Sequence, residues 1–86
     1  MDYVLISFRS RTDASSFKEY LKFYGETATL VSTPKEAGVG CGLSVKISVN
    51  ALSTAKKVLK NKNYSALTGI FLVSIRGGHS FIKVIY

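Results

Sequence analysis

The side chain best suited to chemistry in this 86-residue chain is the thiol of Cys41, its single cysteine. Gly38 and Gly40 precede it and Gly42 follows, so the surrounding backbone can adopt conformations closed to other residues. A thiol is nucleophilic only as the thiolate, and its ordinary pKa of about 8.5 leaves little of it ionised at neutral pH. Nearby cations and converging backbone N–H groups lower that pKa. Lys35, six residues upstream, can reach back across the loop, and the amides at Gly40 and Gly42 can turn toward the sulfur or toward a bound anion. A cysteine with no resolving partner suits a carrier, holding a sulfur or selenium atom as a persulfide-type adduct, better than a dithiol oxidoreductase. The competing reading makes Cys41 a small buried hydrophobe at the start of a strand. Glycine on both sides weighs against that role, because a core strand position seldom needs such neighbours. On the residues alone the two readings stand level.

The elements that must position this thiol follow from periodicity. Residues 3–8 (Tyr-Val-Leu-Ile-Ser-Phe) form a short apolar run rich in β-formers, as a central strand would. Ser10 or Thr12 can cap the next helix, with Asp13 favourable in its first turn. Ala14, Phe17, Leu21 and Tyr24 recur at helical spacing to face a core, and Gly25 sits where a helix-terminating glycine belongs. Residues 27–32 suit an edge strand that Pro34 ends. Leu43, Val45, Ile47 and Val49 alternate with Ser44, Lys46 and Ser48, the clearest two-residue period in the chain. Asn50 can cap a second helix, with Leu52, Ala55 and Leu59 inward. Asn61, Asn63 and Ser65 end it before a strand at 70–75, and Gly77-Gly78 reads as a hairpin turn into a last strand at 81–86.

The order β-α-β-β-α-β plus a terminal strand predicts one α+β domain over residues 1–86, a ferredoxin-like split arrangement with strands one and three central. Strands one and two and the second helix then finish at one end of the sheet. The loops 9–12, 33–42 and 61–68 meet there, bringing Arg9, Arg11, Lys35 and Lys62 around the cysteine loop.

Thr33-Pro34-Lys35, a stretch of small residues, and Cys41-Gly42-Leu43-Ser44-Val45-Lys46 resemble the signature of the selenium/sulfur carrier-like family of small proteins. The likeness extends to the opening strand, the Ser10/Thr12 helix start and Gly69-Ile70-Phe71. It implies a thiol carrier or thiol-dependent accessory protein, served by a sulfur- or selenium-donor protein, with Cys41 as acceptor and Thr33, Pro34 and Gly42 at matching motif positions. Lys35 stands where the family usually has arginine, which removes a planar bidentate anion donor. Gly38-Val39-Gly40 replaces a serine-rich approach, removing hydroxyls that could bond a thiolate.

Composition narrows the rest. Twelve Lys and Arg against five Asp and Glu give a net charge of +7, which concentrates anions near the protein without choosing among them. The alternative to a carrier is therefore a non-enzymatic module that binds an anionic ligand or nucleic acid through Arg9, Arg11, Lys35, Lys60 and Lys62. Nucleic acid is disfavoured, since no RNA-recognition signature accompanies the aromatics. The acylphosphatase-type loop of the commonest enzyme on this topology is missing as well, so a carrier or accessory protein is expected rather than a self-sufficient enzyme. No cofactor is implied, and the lack of a His/Cys/Asp/Glu cluster argues against a metal. His79, beside the glycine turn, reads as solvated surface. One cysteine, no positive leader at Met1-Asp2-Tyr3 and no apolar run near membrane length point to the cytoplasm, not to a membrane. If no helix covers the sheet face bearing Tyr3, Leu5, Ser44 and Lys46, that face is a candidate homodimer interface.

Overall fold

Tyr3 to Phe8 alternates side chains between two buried environments, and in the computed structural model it becomes β1 (Asp2–Phe8), the middle strand of the sheet. The structure describes residues 2–35 and 42–85. Ser10 is the cap of α1 (Arg11–Phe23), its hydroxyl accepting from the Asp13 amide at 3.2 Å. The helix closes through a paired C-terminal bond: the Gly25 amide donates to the Lys22 carbonyl (3.0 Å) and the Glu26 amide to the Leu21 carbonyl (2.9 Å). That pattern needs a left-handed residue at Gly25, whose φ is +85°. Ala14, Phe17 and Leu21 are fully buried as their spacing predicts, but Tyr24 is 57% exposed. It occupies the cap position, where the chain has already left the helical path.

Strand β2 (Thr29–Ser32) pairs with β3 (Leu43–Ile47), and β3 pairs with β1 in the register Ile6–Val45 and Ser7–Ser44. A single 3-10 turn, Val49–Ala51, leads into α2 (Leu52–Lys62). Asn50 lies inside that turn, so it does not cap α2, whose start has no side-chain cap at all. Asn63, at φ 52°, stops the helix in the left-handed region. Strand β4 (Leu67–Arg76) then pairs with β1, and β5 (His79–Val84) pairs back onto β4. The last strand starts two residues earlier than expected because Gly77 and Gly78, both at positive φ, make the entire turn between paired Arg76 and His79.

The sheet order is β2-β3-β1-β4-β5, all antiparallel. This is the α+β, ferredoxin-like βαββαβ split with an extra C-terminal strand. Both helices lie on one face. There Val4, Ile6 and Phe8 pack with Phe17, Leu21, Ala55, Val58 and Ile70. Phe8, Phe17 and Tyr64 form a triangle of rings with centroids 5.4, 5.4 and 5.8 Å apart. Leu5, Phe71 and Val73 make a second apolar cluster on the other face, flanked by Tyr3, Val31 and Ile82.

Candidate functional site

Cys41 and Gly40 lie outside the described residues, and so do the other residues from 36 to 39. What the structure describes is the end of the sheet to which both ends of that segment are tied. The pairing Phe8–Leu43, Phe8–Leu67 and Ser32–Leu43 brings the exit of β1, the exit of β2 and the entries of β3 and β4 to one end, as the topology predicts. Beyond the last ladder pair, the Thr33 amide donates to the Gly42 carbonyl at 3.1 Å. The Arg9 amide donates to the Ala66 carbonyl at 2.8 Å, joining the β1 exit to the approach to β4.

Gly42 is where the fold demands glycine most sharply. A β-carbon there would stand 2.5 Å from the Phe8 carbonyl oxygen, a backbone atom held by the central strand. The residue next to Cys41 is thus seated directly against β1, and any side chain would push the two strands apart. Thr33 closes the same contact from the other side, its hydroxyl 3.7 Å from that point. Pro34 follows, where the absence of an amide donor costs the ladder nothing because β2 has already ended.

Beneath this seat runs a chain of hydroxyls. Ser7 Oγ and Ser44 Oγ are 2.6 Å apart, both residues fully buried, and Ser44 Oγ lies 2.8 Å from Thr33 Oγ1. Among the described residues Ser7 has no other side-chain partner. The arrangement that leaves no buried proton unbonded therefore has Ser7 donating to Ser44 and Ser44 donating to the half-buried Thr33. The Thr33 proton is then free to point away from the core. Ser44 was legible as part of a strand alternation and Thr33 as part of a motif, but Ser7 carried only a faint signal, a lone hydroxyl within an apolar run.

The cations are distributed less evenly than their positions in the chain suggest. Arg9, Arg11 and Lys35 are exposed at this end, after β1, at the first residue of α1 and after β2. Lys62 closes α2 at the same end but lies over the Tyr20 ring, 4.2 Å from its centroid. A hydrogen bond to the Tyr20 hydroxyl holds its ammonium above the ordinary lysine range. Lys60 lines a groove between α2 and β4, next to Lys56 and Asn63. Among the described residues there is no group of three or more His, Cys, Asp or Glu side chains, and no helix is long and apolar enough to cross a membrane.

A family model described as "Putative Se/S carrier protein-like" matches residues 3–68, most of the chain. The chain belongs to that family. The match runs from β1 into the first residues of β4 and includes the segment with Cys41, whereas β5 lies beyond it. No curated protein and no solved structure matches the chain. Membership in a carrier-like family implies a donor partner, and it favours the carrier reading over the anion- or nucleic-acid-binding one.

Proposed function

We propose that this domain receives a sulfur or selenium atom on Cys41 from a donor protein and holds it for delivery. The observation that carries this reading is the family match across residues 3–68, which takes in the chain's single cysteine. In the sulfur case the Cys41 thiolate attacks the outer sulfur of a donor persulfide. A new S–S bond forms at Cys41 as the donor's S–S bond breaks, and the donor leaves as its thiolate. One disulfide-type bond replaces another, so no external oxidant or reductant is consumed.

The neighbouring residues suit each part of that step. Arg9, Arg11 and Lys35 supply positive potential where the attacking thiolate and the persulfide anion are negative. The amides of Gly40 and Gly42 would serve as donors to the same charge. Thr33 offers the outward proton of the hydroxyl chain, and Pro34 fixes the chain direction on leaving β2. The positive end of the domain also complements an acidic face on a donor.

The test is to incubate the reduced protein with glutathione persulfide and record its intact mass. The wild type should gain the mass of one sulfur atom, reversibly with dithiothreitol, and Cys41→Ser should gain nothing. Lys35→Gln should slow the gain a few-fold without abolishing it. A wild type that takes up no sulfur, or an adduct that survives Cys41→Ser, would overturn the proposal.

A further inference from the structure

The face of the sheet that carries both helices is wider than the two helices. Helix α1 packs on β1, β2 and β3, and α2 contributes Ala55 and Val58 to the same core, to which β4 contributes Ile70. The fifth strand adds a further width of sheet beside α2. A groove of about 560 Å³ follows, walled by α2 through Lys56, Leu59 and Lys60 and floored by Leu67 and Ile70 of β4. Registry extends the floor outward. Leu72 lies opposite Lys83 and Ser74 opposite Phe81, so Lys83 and Phe81 share this face. Phe81 is 58% exposed, a large aromatic surface left in water at the strip's outer margin.

The charge of this strip is as one-sided as its shape. The five Asp and Glu residues of the chain all lie within its first 36 residues, where five Lys and Arg balance them. Residues 37–86, which supply α2, β4 and β5, carry seven Lys and Arg and no Asp or Glu. Lys56 and Lys60 stand one helical turn apart on α2, and Lys83 stands across the floor on β5. All three are exposed, and none has a carboxylate partner among the described residues. The strip is an apolar floor between two cationic margins.

We propose that this strip is the docking seat for an acidic amphipathic helix of a protein partner, lying beside α2 against β4 and β5. The ten residues of β4 extend about 33 Å, room to back roughly six helical turns. Apolar side chains at helical spacing would meet the half-buried Leu67 and Leu72 and the exposed Phe81, and carboxylates on the flanks would meet Lys56, Lys60 and Lys83. The strip shares no residue with those assigned to the sulfur chemistry, so the inference stands or falls independently of the carrier reading.

The test uses amide chemical shifts of the isotope-labelled protein titrated with a designed peptide helix bearing leucine on one face and glutamate on both flanks. Its control has lysine on the flanks. The glutamate peptide should shift the amides of α2, β4 and β5, more weakly as salt rises, and the lysine peptide should not. Phe81→Glu, and separately Lys56→Glu with Lys60→Glu, should weaken binding about tenfold or more. Lys46→Glu on the opposite face should leave it unchanged. Equal response to both peptides, shifts confined to the opposite face, or indifference to Phe81→Glu would overturn the proposal. So would occupation of the strip by single-stranded oligouridylate in preference to the glutamate peptide, or by a second copy of the chain as protein concentration rises.

Discussion

The two faces of the sheet use the same strand and reach the same burial by opposite means. Ile6 and Phe8 point toward the helices, and Leu5 and Ser7 point away, yet none is more than 1% exposed. On the helix side the packing is apolar and aromatic, centred on the triangle of Phe8, Phe17 and Tyr64. On the other side the apolar cluster of Leu5, Phe71 and Val73 gives way, toward the cysteine end, to the hydroxyls of Ser7, Ser44 and Thr33. Apolar contacts are non-directional and fix little beyond volume. A hydroxyl chain fixes donors and acceptors, so it sets how β1, β3 and the end of β2 meet around Gly42. The first face stabilises the domain; the second specifies the geometry at one end of it.

The comparison breaks most visibly under large-to-small substitution. Phe17→Ala removes a fully buried ring that touches both Phe8 and Tyr64, and should cost about 3–5 kcal/mol. For a domain of this size that is a large share of total stability, and urea denaturation should register it as a sharply lowered midpoint. A loss under about 1 kcal/mol would mean the helix face can collapse around the gap, and the contrast drawn between the faces would weaken.

On the polar face the informative experiment is a cycle. Ser44→Ala strands the buried Ser7 hydroxyl and should cost about 1–3 kcal/mol. Adding Ser7→Ala to it should recover part of that cost, because no polar group is then left buried and unbonded. Simple additivity of the two substitutions would show that the hydroxyls act separately. Their coupling is what distinguishes this face from the other.

How much of this could be read from the sequence depended on whether the signal was periodic or pairwise. The inward stripe Ala14, Phe17 and Leu21, the Ser10 cap and the Gly25 terminator are local patterns in their expected places, whereas the β3 alternation holds only through Ile47, since Val49 opens the 3-10 turn and is exposed. The topology followed from their order. Asn50 misled because a good cap residue was taken up in a 3-10 turn, and Tyr24 misled because helical spacing continued one step past the helix. The link between Ser7 and Ser44 spans 37 positions and depends on strand register, which no local pattern encodes. The need for glycine at Gly42 is of the same kind, since it comes from the Phe8 carbonyl across the sheet. Lys62 was grouped by topology with the cysteine loop, yet its ammonium is taken up by Tyr20, a side-chain preference that topology does not resolve.

The smallest expected effect probes a polar point on the helix face. Tyr64 places its ring in the aromatic triangle and its hydroxyl 3.1 Å from Ser16 Oγ. Burial is the main cause that raises its pKa above the ordinary 10.0, and the Ser16 bond opposes the shift. In the unfolded chain the phenol ionises near its ordinary value, whereas in the folded domain it stays neutral to higher pH. Its contribution is therefore complete below pH 10 and is lost as pH rises through the folded value. Lys62, raised above its ordinary 10.5, loses its contribution in the same direction. Tyr64→Phe should cost only about 0.5–1.5 kcal/mol near neutrality, the worth of a hydrogen bond. Above pH 10 it should flatten the fall of stability with pH, while the part due to Lys62 remains. Thermal unfolding across alkaline pH makes the comparison, and an unchanged slope in Tyr64→Phe would show that the phenol is as well solvated folded as unfolded. The helix face would then be dry only as far as Phe8 and Phe17, with its polar boundary one residue deeper than the ring triangle implies.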